Sequence, residues 1–157
     1  MVPLIGIIPL LMLNLLVLCG TPGSGKTTLA RKILKDYDYD FHSFDDLGCN
    51  THRDLILPIK ESLKNGHDVI VDSTYSRKKI RMELLESIHD LECRKIIYYL
   101  PTPLDLCISR NAERGYTVST DTLQGIYYSF QSPVLEEGWD EIIILRSDSN
   151  DKVYPNK

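Results

Sequence analysis

Eight consecutive residues, Gly20-Thr21-Pro22-Gly23-Ser24-Gly25-Lys26-Thr27, have the types and spacing G-x-x-x-x-G-K-[ST] that wrap a polyphosphate. A triphosphate is a dense anion and needs donors on several sides at close range. Gly20, Gly23 and Gly25 carry no Cβ and tolerate positive φ, so successive backbone N–H groups can turn inward as a nest. Lys26 is expected to reach the β and γ oxygens and Thr27 to offer its hydroxyl to Mg²⁺. A helix starting near Lys26, with Thr28 in its first turn, would aim its N-terminal partial positive charge at the same phosphates. Read by itself, the loop implies ATP and Mg²⁺ and leaves the fate of the γ-phosphate open; a glycine-rich turn without a ligand is the alternative.

Three further groups have types that suit phosphoryl transfer. Asp72 ends the apolar run Val69-Ile70-Val71, where a carboxylate can hold Mg²⁺ directly or through water; the plainer reading is a helix cap or turn. Asp45 and Asp46 follow Phe44 at the end of a short strand, where a carboxylate facing the γ-phosphate could accept a hydroxyl proton, or could merely cap the next segment. Arg110 and Arg114 stand four apart on one helix face before Gly115, placed either to close over a nucleotide or to lie solvated at a helix end. Asp72 is followed by Ser73-Thr74 and not by the glutamate with which motor ATPases activate water. Asp45-Asp46-Leu47-Gly48 also fits the D-x-x-G of GTPases, but there is no internal N-K-x-D to read guanine.

Together these residues resemble the polynucleotide-kinase-like group of P-loop kinases, which includes phage-type 5'-hydroxyl polynucleotide kinases and archaeal-type seryl-tRNA kinases. The resemblance runs from Leu13 to Leu145. It rests on Gly20 to Thr27, Asp45-Asp46, Val69 to Thr74, Arg110-Asn111-Ala112-Glu113-Arg114-Gly115, and Phe130, Pro133 and Gly138-Trp139-Asp140-Glu141. It implies an adenylate-kinase-like sheet order, ATP and Mg²⁺ at the loop, Lys26 and Thr27 on phosphates and metal, Asp45 as general base, Arg114 as the transition-state arginine and Arg110 as a further lid contact. The implied acceptor is a nucleic-acid 5'-hydroxyl or a tRNA-borne group. A small-molecule kinase (sugar, nucleoside or antibiotic) and a non-kinase ATP-hydrolysing module are the alternatives. Gly48 stands where the phage-type enzymes place an arginine that grips the acceptor.

The elements that must position these groups follow from the apolar pattern. Leu13 to Cys19 reads as a buried strand and Thr28 to Tyr37 as a helix with Leu29, Ile33 and Leu34 inward. Further strands are expected at 40–44, 68–72, 95–100 and 141–145. Helices are expected at 53–64 (bent or begun late at Pro58), 77–91, 103–110 and 120–130. The expected fold is α/β, a three-layer P-loop NTPase fold: five parallel strands, helices on both faces, and the site at the strand carboxyl ends.

Composition fits that frame. A chain of 157 residues with 43% hydrophobic and 25% charged positions suits one domain, expected over 12–147, with an apolar extension at 1–11 and a polar tail at 148–157. Residues 1–11 lack a leading Lys or Arg and are broken by Pro3, Gly6 and Pro9, so neither a signal peptide nor a membrane span is expected. A net charge of −4 argues against nonspecific coating of duplex nucleic acid. Cys19, Cys49, Cys93 and Cys107 form no C-x-x-C pair and read as reduced thiols of a cytoplasmic protein, and the four histidines show no metal-ligand spacing. Arg77, Lys78, Lys79 and Arg81 gather at a helix start, against the helix dipole, either as an anion site or as a solvated face. Tyr75 is either a stacking platform or a core tyrosine.

Overall fold

A computed structural model describes residues 12–115 and 117–146; the expected extension at 1–11 and the tail from 148 lie outside them. Five strands, β1 (Leu13–Cys19), β2 (Asp40–Ser43), β3 (Val69–Asp72), β4 (Cys93–Tyr99) and β5 (Glu141–Ile144), form one sheet in the order β2-β3-β1-β4-β5, with every neighbouring pair parallel. This is the adenylate-kinase-like order expected above. The helices are α1 (Lys26–Asp36), α2 (Ile56–Lys64), α3 (Lys78–Ser87), α4 (Leu104–Glu113) and α5 (Thr120–Ser129), with 3₁₀ turns at His52–Leu55 and Leu135–Glu137.

β1 is apolar at nearly every position because a central parallel strand is covered on both faces. Its alternate side chains divide between two cores. Leu15, Val17 and Cys19 pack with Leu55, Ile59, Leu63, Leu84 and Leu85, whereas Leu16 and Leu18 pack with Leu29 and Ala30 of α1. The register sets Leu18 beside Asp72 and Asp72 beside Ser43, so the loop after β1, Asp72 and the turn carrying Asp45 leave the sheet at one edge.

The segment expected to bend at Pro58 begins instead as the 3₁₀ turn at His52. It becomes α-helical at Ile56, so Pro58 falls in the first α-turn, where a missing N–H is tolerated. α3 stops at Ser87, short of the expected 91: Ile88 leaves the helical region with φ −113°, yet both it and Leu91 still pack into the core. No helix of the described residues is long and apolar enough to cross a membrane.

One sequence expectation is corrected and one alternative is settled. Arg81 is not part of a surface basic cluster. It is fully buried, with Nη2 and Nε donating to the Glu137 carboxylate at 2.6 and 2.9 Å and Nη1 donating to the Tyr75 carbonyl at 2.8 Å. Trp139 Nε1 adds a third donor to Glu137 at 2.9 Å. Tyr75 is likewise a core side chain, 1% exposed, and not a base-stacking platform. It is the one non-glycine residue of the described chain with positive φ (45°), a costly conformation that the Arg81 bond to its carbonyl helps hold.

Removing one partner of a buried ion pair leaves an uncompensated charge, so Glu137→Ala is expected to cost about 3–5 kcal/mol, read as a fall in denaturant midpoint. Burial pushes the Glu137 carboxyl up, but the bonds from Arg81 and Trp139 outweigh this and hold it below the ordinary 4.5. Its contribution is therefore complete above pH 4.5 and is lost as pH falls through the lower folded-state value. Glu137→Ala should flatten that acid limb of the stability profile.

Candidate active site

The loop from Gly20 to Gly25 joins β1 to α1, and Gly25 caps the helix in a left-handed conformation (φ 106°). Gly23 also has positive φ (85°), and a Cβ there would lie 2.6 Å from the Cys107 carbonyl, so α4 packs directly against the loop. Gly20 differs from expectation. Its requirement is steric, since a Cβ would meet Ser24 Oγ at 2.5 Å and the Leu100 carbonyl at 3.0 Å, and its φ is not positive.

The loop is pinned from both sides. Thr102 Oγ1 donates to the Ser24 carbonyl at 2.8 Å, and Gly20 N donates to the Thr74 carbonyl at 3.1 Å. Pro101-Thr102-Pro103 carries no chemistry of its own in the sequence, yet it supplies this fixing hydroxyl. Lys26 spans the loop, with Nζ donating to the carbonyls of Gly20 and Thr21 at 2.7 and 3.1 Å and to Ser24 Oγ at 3.4 Å. Burial pushes its ammonium below the usual lysine range, with Asp72 the largest opposing influence.

A cleft of about 770 Å³ opens at this edge of the sheet. Pro22, Gly23, Ser24, Gly25, Lys26, Thr27 and Thr28 line it together with Asp45, Asp72, Arg110 and Arg114, whereas Gly20 and Thr21 are buried and do not line it. Thr27 Oγ1 donates to Asp72 Oδ2 at 2.7 Å, setting two oxygen atoms of the kind hard cations favour side by side. Asp45 sits in the exposed turn after β2, and only it, not Asp46, lines the cleft. Arg110 Nη1 donates to the Gly23 carbonyl at 3.3 Å, and Arg114 stands exposed at the C-cap of α4.

Asn111, between the two arginines, is the staple of the segment that follows. Its Nδ2 donates to the Val118 carbonyl at 2.8 Å, and Thr117 Oγ1 donates to its Oδ1 at 3.0 Å. The fixed Asn of R-N-x-x-R-G thus ties residues 117 and 118 to α4, and both line the cleft.

Sequence reasoning missed His52. Its Nε2 lies 2.8 Å from Ser73 Oγ, and its ring packs between Phe44 and Tyr75 with centroids 5.2 and 5.0 Å away. Burial lowers it below the ordinary histidine value of 6.5, so the imidazole is neutral at pH 7. His52, Ser73, Thr74 and Phe44 line the cleft alongside Asp45. Among the described residues no group of three or more His, Cys, Asp or Glu gathers as a metal centre.

The four cysteines are free. Cys19, Cys93 and Cys107 are buried and Cys49 is half-buried. Burial pushes the Cys19 thiol up to about 12, which suits a packing group and not a nucleophile.

A profile of the family described as chromatin associated protein KTI12 matches residues 13–154. The curated L-seryl-tRNA(Sec) kinase of Methanococcus maripaludis is 26% identical over 160 residues, an alignment covering 91% of this chain and 62% of that relative. The chain thus spans 62% of that relative's length. Of the solved structures, KTI12 of Chaetomium thermophilum in complex with ADP-AlF3 superposes with a TM-score of 0.67 at 18% identity, covering 88% of this chain and 93% of that one. A gluconokinase from Sinorhizobium meliloti gives 0.61 at 17% identity, covering 85% and 82%. At these identities the structures establish a shared P-loop kinase fold.

Proposed function

The chain belongs to the KTI12 family, and we propose that it is an ATP-dependent kinase that transfers the γ-phosphate to a hydroxyl, borne by a nucleic-acid 5' end or a tRNA. The observation that carries this reading is that one cleft is lined by the phosphate cradle, by the Thr27–Asp72 pair and by Asp45. The similarity to an L-seryl-tRNA(Sec) kinase supports the acceptor class.

The triphosphate would lie on the backbone N–H groups of residues 23 to 28, with Lys26 exchanging its carbonyl partners for β and γ oxygens. Thr27 Oγ1 and Asp72 suit Mg²⁺, which favours a few protein oxygens completed by phosphate and water. An ion held there would neutralise charge developing on the phosphate oxygens. Asp45 accepts the proton of the acceptor hydroxyl as its oxygen attacks the γ-phosphorus and the bond to the β–γ bridging oxygen breaks, so that ADP leaves. Arg114 meets the charge on the transferring group, and Arg110 holds Gly23 against α4. Beyond Asp72 the chain continues as Ser73 and Thr74, beside neutral His52, where motor ATPases carry a water-activating glutamate; the cleft's other carboxylates are Asp45 and Glu113.

The direct test is transfer of labelled γ-phosphate to a panel of 5'-hydroxyl DNA and RNA, seryl-tRNA, nucleosides and sugars. Labelling of an RNA or tRNA hydroxyl is expected; labelling of only a small molecule would refute the acceptor class. In the same assay Asp45→Asn should keep ATP binding and lose about 10²- to 10⁴-fold in turnover, the span of general-base catalysis. A normal rate for that variant would remove Asp45 from the mechanism.

A further inference from the structure

A second concave surface lies between α2 and α3, outside the cleft, and neither the cradle nor the carboxylates reach it. Two side-chain stripes line it. Arg53, Ile56, Leu57 and Lys60 run along the 3₁₀ turn and α2, and Lys79, Met82, Glu83 and Glu86 run along α3. Each stripe has the spacing i, i+3, i+4, i+7 that defines one face of a helix. Two such stripes side by side form a seam that a third helix can fill.

The floor is apolar and open: Leu57 is 64% exposed and Met82 42% exposed, in a chain whose remaining large aliphatic side chains are mostly buried. Arg53 donates to Glu83 through Nε and Nη2, both at 3.2 Å, which bridges the stripes and neutralises that pair. Lys60, Lys78 and Lys79 then face the single carboxylate of Glu86, so the seam is positive although the chain as a whole carries −4. Among the described residues no aromatic side chain lines it. Single-stranded nucleic acid is held on aromatic platforms, so a methionine- and leucine-floored seam rimmed by lysines fits a helix better than a nucleotide track.

We propose that the α2–α3 seam is a docking site for an acidic amphipathic helix of a partner protein, its apolar face on Ile56, Leu57 and Met82 and its carboxylates toward Lys60, Lys78 and Lys79. This stands independently of the transfer chemistry. α2 and α3 have 9 and 10 residues, so roughly 15 Å of partner helix is contacted. The contact belongs to the small, transient class.

The test uses a fluorescein-labelled peptide of about 18 residues, long enough to hold a helix once docked, with Leu at i, i+3, i+4, i+7 and Glu elsewhere. Its counterparts are the same peptide with every Glu changed to Lys, and a 5'-hydroxyl RNA oligonucleotide. Anisotropy should show saturable binding of the acidic peptide. That binding should be weakened at least about tenfold, the effect of 1.4 kcal/mol, by Leu57→Ser/Met82→Ser and by Lys60→Glu/Lys79→Glu. The lysine peptide should bind Lys60→Glu/Lys79→Glu better than wild type, a reversal that loss of folding cannot produce, and nucleotide affinity of all variants should be unchanged. Absence of saturable acidic-peptide binding, equal binding by all variants, or loss of RNA binding alone in the charge variant would overturn the proposal, the last by assigning the seam to nucleic acid.

Discussion

Lys26→Ala is expected to abolish detectable transfer and to weaken nucleotide binding. Hydrogen bonds to charged groups contribute about 1.5–3 kcal/mol, which sets the loss of nucleotide affinity at about 10- to 150-fold. The rate should fall further, by at least about 10²- to 10³-fold, because in the proposed mechanism the ammonium also meets charge that develops only in the transition state. The substitution also strips a donor from the carbonyls of Gly20 and Thr21, to which Nζ is bonded at 2.7 and 3.1 Å. A loop that loses this cross-link loses shape as well as charge. Lys26→Arg separates the two effects, since it keeps the charge but replaces the compact ammonium that bonds those carbonyls with a planar guanidinium. Isothermal titration with a non-hydrolysable ATP analogue, alongside single-turnover transfer, checks both numbers.

Arg114→Ala should have the second large effect, a loss of about 10³- to 10⁵-fold in turnover, as for an arginine that meets the transferring group. Its signature is a split. Arg114 is exposed at the C-cap of α4, so its removal should leave the fold and ground-state ATP affinity nearly intact while kcat collapses. Arg110→Ala should behave differently, because Arg110 Nη1 is engaged with the Gly23 carbonyl and its loss loosens the loop. A larger KM change than kcat change is expected there. Quenched-flow kinetics on both variants tests the assignment; equal kcat losses would contradict it.

How much of this was legible in the sequence depends on whether the signal was local. The strand-loop-helix unit from Leu13 to Asp36 was fully readable, since an apolar strand, the glycine pattern and the amphipathic helix adjoin in the chain. The convergence of Asp45 and Asp72 on the loop was readable too, because parallel strands of an α/β sheet end at one edge and register carries both carboxylates there.

What failed was tertiary. Arg81 looked like one more surface cation because its partner, Glu137, is 56 residues away. For Tyr75 the core reading holds over the stacking one, but nothing local foretells its positive φ. His52 has no metal-ligand spacing to mark it, and its link is to Ser73, 21 residues on. The end of α3 was overrun because Ile88 and Leu91 keep the apolar period after the chain has left the helix. Thr102 gave no signal either, as one hydroxyl in a proline-rich turn says nothing of the Ser24 carbonyl it holds.

The proposed transfer delivers the γ-phosphate to an acceptor hydroxyl and not to water. The most direct measurement follows γ-labelled ATP through one turnover, with and without a 5'-hydroxyl RNA or tRNA, and counts phosphomonoester formed against inorganic phosphate released. Label should be retained on the acceptor in near-stoichiometric yield, and ATP should be consumed only slowly without it. Fast acceptor-independent release of inorganic phosphate, unchanged in Asp45→Asn, would contradict it and make the cleft that of a hydrolase.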